Sequence, residues 1–132
     1  MNIFYKRLLG IGCLLGATGV IAGAFGAHFL KSRLDVNSIE VIRTGVLYLF
    51  IHVLAILFVV NLGSKSDLSR LLRSSGILFM IGIFFFTGSL LFIGTSSLTG
   101  LDIPLIGLLT PLGGVCFIAG WVLLSVYSFT SK

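Results

Sequence analysis

Residues 45–62 read GVLYLFIHVLAILFVVNL, a run that contains no Asp, Glu, Lys or Arg. A helix needs about 20 mainly apolar residues to cross the hydrocarbon core of a bilayer, so this run is close to the length of a membrane span. Three further apolar runs lie at residues about 8–29, 75–97 and 105–129. Backbone groups in hydrocarbon must be hydrogen-bonded within the chain, which makes each run helical despite its many Val, Ile, Phe and Gly residues. The sequence therefore predicts an all-α membrane protein, a four-transmembrane-helix bundle forming one domain over residues 1–132.

The composition excludes a soluble globular domain. The chain is 57% hydrophobic and 10% charged, whereas soluble domains are about 45–50% apolar and about 25% charged. The formal net charge of +5 comes from short clusters between the apolar runs, a pattern typical of membrane topology and contact with anionic headgroups. We therefore expect the lipid bilayer as solvent, no nucleic-acid partner and no cofactor.

The connections between the runs contain candidate helix caps. Asn37 with Glu40 resembles a capping box, which predicts that the second helix starts near Ser38. Asp67 is the predicted N-cap of the third helix.

The fourth run has two possible starts. Either one helix begins near Pro104 and is distorted at Pro111, or a helix begins afresh with Thr110 as N-cap and Pro111 at its first position. We favour the single distorted helix.

The positions of Lys and Arg predict the orientation of the bundle. Six lie on the side that holds the termini: Lys6, Arg7, Lys65, Arg70, Arg73 and Lys132. Three lie on the other side: Lys31, Arg33 and Arg43. This excess predicts that both termini are cytoplasmic. The alternative for the first run is a signal peptide cleaved after Ala24, which would leave three spans.

Five of the glycines in the first run are spaced alternately four and three residues apart: Gly12, Gly16, Gly19, Gly23 and Gly26. This spacing corresponds to a 3.5-residue period, so the five glycines share one stripe of the helix. Small residues let helices approach closely in lipid, where hydrophobic drive between helices is weak. We interpret the stripe as a seam with another helix of the same chain, with a homodimer seam as the alternative.

His52 lies well inside the second run, where an ionisable side chain is costly and normally faces the bundle interior. With the predicted orientation, several polar side chains should converge on the outward-facing half of the bundle. This candidate polar cluster comprises His28, Tyr48, His52, Ser89 and Thr110.

Three interpretations of the cluster stay open: interhelical hydrogen bonds that stabilise the fold, a proton- or ligand-responsive site, and a metal site, which two histidines alone support poorly. No catalytic motif is present, so we predict no catalytic, cofactor-binding or metal-binding residues.

Several blocks, in order along the chain, resemble a family of small membrane proteins known as domain of unknown function 423, or uncharacterised protein family 0382, with transmembrane protein 256 as a eukaryotic relative. The blocks are Gly23-Ala24-Phe25-Gly26-Ala27-His28 with Leu30-Lys31, Thr44-Gly45, Tyr48 with His52, Thr87-Gly88-Ser89-Leu90, Thr110-Pro111-Leu112-Gly113-Gly114 and Gly120-Trp121. Thr87 stands where the family commonly has serine, Phe92 stands in for a shifted aromatic residue, and Leu49 replaces a usual glutamine, which removes a polar partner beside Tyr48.

This resemblance implies a multi-pass protein of the inner (cytoplasmic) membrane and brings no established activity. We therefore expect a structural or accessory bundle that packs with itself, as a homo-oligomer, or with a membrane-protein partner. The alternative is a small-molecule or proton pathway through the candidate polar cluster.

Overall fold

The computed structural model describes residues 1–65 and 69–130. Within that part of the chain every regular element is helical. The helices are α1 (Ile3–His28), α2 (Val36–Lys65), α3 (Arg70–Gly82), α4 (Gly88–Thr99) and α5 (Leu109–Thr130). Two turns of 3₁₀ helix, Leu30–Ser32 and Pro104–Leu108, follow α1 and precede α5.

A π-helical turn, Ile83–Thr87, joins α3 to α4, so Arg70–Thr99 is one continuous third span. Four helical segments are thus long and apolar enough to cross a bilayer: Ile3–Ser32, Val36–Ser64, Arg70–Thr99 and Pro104–Thr130. The prediction of a four-span helical membrane protein is confirmed. Each segment extends beyond its apolar run, because hydrogen-bonded helix continues into the polar flanks.

The glycine stripe of α1 faces α2 along its whole length. A Cβ added at Gly12 would lie 3.2 Å from Ile56, and one added at Gly26 would lie 3.6 Å from Ile42. Gly16, Gly19 and Gly23 likewise point at α2 side chains. In this structure the stripe is therefore a seam inside the chain.

A second glycine seam joins the third span to α5. Gly113 lies directly against the backbone of Phe86, and Gly120 would place a Cβ 2.7 Å from the ring of Phe79. The Ser75 hydroxyl donates to the carbonyl oxygen of Gly120 at 2.9 Å across the same seam. The core thus has the third span between α2 and α5, with α1 packed on α2.

The prediction of Asn37 as the cap of α2 is wrong. The helix begins at Val36, and the Asp35 carboxylate accepts from the Ser38 backbone N–H at 3.0 Å and from the Ser38 hydroxyl at 2.7 Å. Asp35 is therefore the N-cap of α2 in place of Asn37, because a carboxylate at the N-cap position reaches the third helical N–H. These hydrogen bonds, above all the one from the Ser38 hydroxyl, hold the pKa of the Asp35 carboxyl below its usual value.

The predicted cap Asp67 lies outside the described residues, and α3 begins after the extended residue Ser69. At its far end the third span stops at Gly100, whose φ of 68° is the left-handed conformation that terminates helices.

The fourth span is continuous from Pro104, as favoured. Its backbone changes from 3₁₀ to α geometry at Leu109, two residues before Pro111, so the regular α-helical pattern is interrupted on the N-terminal side of the proline, which lacks an N–H. Thr110 lies inside the helix and is not an N-cap.

Candidate functional site

His52 lies near the middle of α2 and is buried, with only 3% of its surface exposed. Thr44, Tyr48 and His52 are spaced four residues apart, so α2 presents them on one face. The Thr44 hydroxyl is turned back to the Glu40 carbonyl of its own helix, which leaves Tyr48 and His52 to meet the neighbouring spans.

Both ring nitrogens of His52 are hydrogen-bonded. Nδ1 lies 2.8 Å from the carbonyl oxygen of Tyr48, and Trp121 Nε1 lies 3.3 Å from His52 Nε2. A carbonyl can only accept and an indole N–H can only donate, so Nδ1 carries the proton and Nε2 is the acceptor. The geometry therefore assigns His52 as the neutral Nδ1–H tautomer, since a second proton on Nε2 would face the indole N–H.

Aromatic rings enclose the imidazole. The Phe117 ring stacks on His52 with centroids 3.4 Å apart and an interplanar angle of 7°. Phe79 approaches from the third span at 5.6 Å and contacts Trp121 edge-on at 5.2 Å. We define the aromatic cluster as Tyr48, His52, Phe79, Phe86, Phe117 and Trp121. It joins α2, the third span and α5 in the middle of the bundle.

A groove between α2 and α5, the α2–α5 groove, opens beside this cluster with a volume of about 400 Å³. It is lined by Tyr48, Ile51, His52, Phe86, Gly114, Phe117, Ile118 and Trp121. A Cβ on Gly114 would meet nothing within 4 Å, and Ile118 and Trp121 are well exposed. The groove is therefore an open, mostly apolar surface at membrane depth.

The other members of the candidate polar cluster occupy separate places. The hydroxyls of Ser89 and Thr110 lie 2.7 Å apart and link α4 to α5. His28 is exposed at the end of α1, beyond Gly26, which faces Ile42. His52 lies ten residues beyond Ile42 on α2, a distance of about 15 Å along the helix at 1.5 Å per residue. The structure therefore pairs the hydroxyls of Ser89 and Thr110, joins His52 to the backbone carbonyl and the ring of Tyr48, and leaves His28 apart.

Sequence reasoning missed Trp121 and Phe117 as partners of His52. Trp121 is the one tryptophan of the chain and belongs to a block of the family resemblance, which was the available signal. No sequence signal pointed to Phe117, which is one of twelve phenylalanines.

Tyr5 was also missed. Its ring is fully buried against Gly63, which has no side chain to displace it, and its hydroxyl has no hydrogen-bond partner among the described residues. Among the described residues no group of three or more His, Cys, Asp or Glu side chains could hold a metal ion.

Comparison with known proteins places this architecture in a family. The profile of the family described as "Protein of unknown function (DUF423)" matches residues 22–114. The chain is similar to the UPF0382 membrane protein YwdK of Bacillus subtilis, with 33% identity over 92% of this chain and 94% of the relative. It is also similar to a UPF0382 membrane protein of Haemophilus influenzae, with 34% identity over 96% and 97% of the two chains.

The UPF0382 inner membrane protein YgdD of Escherichia coli is 34% identical over 96% of this chain and 92% of the relative. No solved structure matches the chain. None of these names carries an enzymatic activity. The family match and the four apolar helices together identify this protein as a multi-pass membrane protein that belongs to the DUF423 family.

Proposed function

We propose that this protein is a structural or accessory bundle that packs in the membrane with a second copy or with another membrane protein. The observation that carries this proposal is that buried Ser and Thr hydroxyls form hydrogen bonds between the spans. Thr87 donates to the Gly45 carbonyl at 3.1 Å, and Ser75 donates to the Gly120 carbonyl. Hydrogen bonds used in this way hold helices together and occupy the hydroxyls of Ser75 and Thr87 within the bundle.

The α2–α5 groove is the surface that we assign to this packing. Helices associate in lipid where small residues permit close approach, and Gly114 leaves open space beside the exposed Ile118 and Trp121. Aromatic side chains supply large contact areas at such surfaces. A helix of a second copy or of a partner would fill the groove and cover Trp121.

Cysteine crosslinking tests this assignment. Cys13 and Cys116 are free thiols, so both are first replaced by serine. Ile118→Cys is then introduced in the groove, and Leu112→Cys, an exposed residue that does not line the groove, serves as the matched control. In native membranes we expect Ile118→Cys to give a crosslinked dimer or a heavier adduct at several times the yield of Leu112→Cys. Equal yields, together with a monomer alone after extraction in mild detergent, would overturn the proposal.

A catalytic role is not part of this proposal. Asp35 caps α2, while Glu40 and Asp102 are exposed near the ends of spans, so none of these carboxylates reaches the aromatic cluster. The alternative, a small-molecule or proton pathway, is favoured by the position of His52 at the α2–α5 groove. It predicts that His52→Ala abolishes a measurable flux while the bundle stays folded. Loss of stability without loss of flux would instead support the structural role.

A further inference from the structure

A second groove lies between α1 and α2 at the end of the bundle that holds His28 and Val36. It has a volume of about 290 Å³, and Gly23 and Gly26 of α1 belong to its lining. Ala22, Val46 and Phe50 form apolar walls, and Arg43 is the charged residue of its lining. We call it the α1–α2 groove.

Arg43 lies close to the boundary between the hydrocarbon and the lipid headgroups, within reach of the headgroups for its long side chain. The 30 residues of α2 make a helix about 45 Å long, whereas the hydrocarbon core is about 30 Å thick. Roughly five residues at each end of α2 therefore project beyond the hydrocarbon, and Arg43, the eighth, lies close to the boundary. It directly precedes the apolar run that begins near Gly45.

The Arg43 guanidinium is exposed and makes no hydrogen bond, ion pair or cation–π contact with the residues that the structure describes. Two other arginines differ, since Arg33 lies 4.2 Å from the centre of the Phe29 ring and Arg73 lies 4.9 Å from that of Phe4. A guanidinium at the membrane boundary offers paired N–H donors that match the geometry of a phosphate.

We propose that the α1–α2 groove binds a phospholipid, with the lipid phosphate on Arg43 and one acyl chain along Gly23 and Gly26. The charge beside the groove favours this occupant, because Arg43, which has no partner among the described residues, complements the negative charge of a lipid phosphate. The acyl chain of this lipid would lie against the apolar walls of the groove, with the headgroup beside Arg43.

Native mass spectrometry of the full chain in detergent tests the site. The probes are phosphatidylglycerol and a diacylglycerol with the same acyl chains, which lacks the phosphate. We expect wild type to retain phosphatidylglycerol about tenfold more tightly than diacylglycerol, as for a charge-assisted hydrogen-bonded contact. Arg43→Gln should remove that preference, and Arg43→Lys should keep part of it.

Two matched controls separate this site from general attraction. Lys31→Gln removes the same charge at the same end of the bundle from a residue that does not line the groove, and should leave retention unchanged. Ala22→Leu fills the groove and should weaken the binding of both lipids. Ala17→Leu, on an exposed part of α1, should change the binding of neither lipid.

Three outcomes would overturn the proposal. The first is an unchanged preference for phosphatidylglycerol in Arg43→Gln. The second is an equal loss in Lys31→Gln, which would indicate unspecific attraction to the cationic end. The third is dissociation of an oligomer by Arg43→Gln with no change in bound lipid, which would assign the surface to a second copy of the chain.

Discussion

At the scale of single residues, His52 shows how an ionisable group is accommodated in hydrocarbon. Sequence reasoning could place it in the bundle interior, because an exposed imidazole at that depth is costly. It could not identify the donor to Nε2, since Trp121 is 69 residues away along the chain. Which side chains meet between two spans depends on how each helix is rotated about its own axis. A nearly uniform apolar run has no periodicity that defines this rotation.

The hydrogen bond between Trp121 and His52 should contribute to stability. We expect a double-mutant cycle of Trp121→Phe and His52→Leu to give a coupling energy of about 0.6 kcal/mol, the average for interhelical hydrogen bonds in a membrane protein. The measurement is reversible unfolding in detergent micelles. Strictly additive effects of the two changes would show that the contact stabilises nothing.

The unpartnered hydroxyl of Tyr5 should destabilise the fold. Removing a buried, unsatisfied polar group relieves its desolvation cost, so Tyr5→Phe should raise the free energy of unfolding by about 1 kcal/mol. Tyr5→Leu is the control, because it removes the ring that fills the space beside Gly63 and should lower stability. Destabilisation by Tyr5→Phe would mean that the hydroxyl has a partner, such as a bound water.

At the scale of helices, the glycine pattern predicted more than any other feature. The alternation of four and three in α1 gave a stripe, and all five glycines face α2. The cap of α2 was assigned to the wrong residue because Asp35 and Asn37 both suit an N-cap. The π-helical turn Ile83–Thr87 has no sequence signature, since its residues would equally form a regular α-helix.

Adjacent glycines in α5 allow a sharp test of the seam with the third span. Gly113→Ala would drive a methyl group into the backbone of Phe86, which cannot move away without disturbing its helix. We expect a loss of about 1–3 kcal/mol, the usual cost of overpacking. Gly114→Ala enters open space and should change stability little. Unfolding of both variants is compared in the same detergent, and equal losses would contradict the assigned rotation of α5.

At the scale of the whole molecule, the solvent determined how much the sequence could predict. Hydrocarbon requires every spanning segment to satisfy its own backbone, so four apolar runs sufficed to predict four helices. The same apolar composition gives little information about function, because the spans contain few residues with reactive or ionisable side chains. The candidate polar cluster was only partly informative: Ser89 and Thr110 pair through their hydroxyls, His52 lies among aromatic rings with Tyr48, and His28 lies apart, where a single group was expected.

Orientation in the membrane is a whole-molecule property, and we propose from the excess of Lys and Arg beside the termini that both ends are cytoplasmic. In a background without Cys13 and Cys116, Ser32→Cys should react with a membrane-impermeant thiol reagent in intact cells. Ser69→Cys should react only after the membrane is opened. The reverse pattern of labelling would establish the opposite orientation.

The neutral state of His52 has a consequence for energetics across the bilayer. An electrical potential does work only on charge, about 2.3 kcal/mol for each elementary charge moved through 100 mV. In the described spans the Lys, Arg and Glu side chains lie within the first few turns from an end, and the hydrogen bonds of His52 keep the middle of the bundle uncharged. The membrane potential of an energised cell therefore acts on no charge in the middle of the described bundle. The packing of the helices should be the same whether the cell is respiring or depolarised.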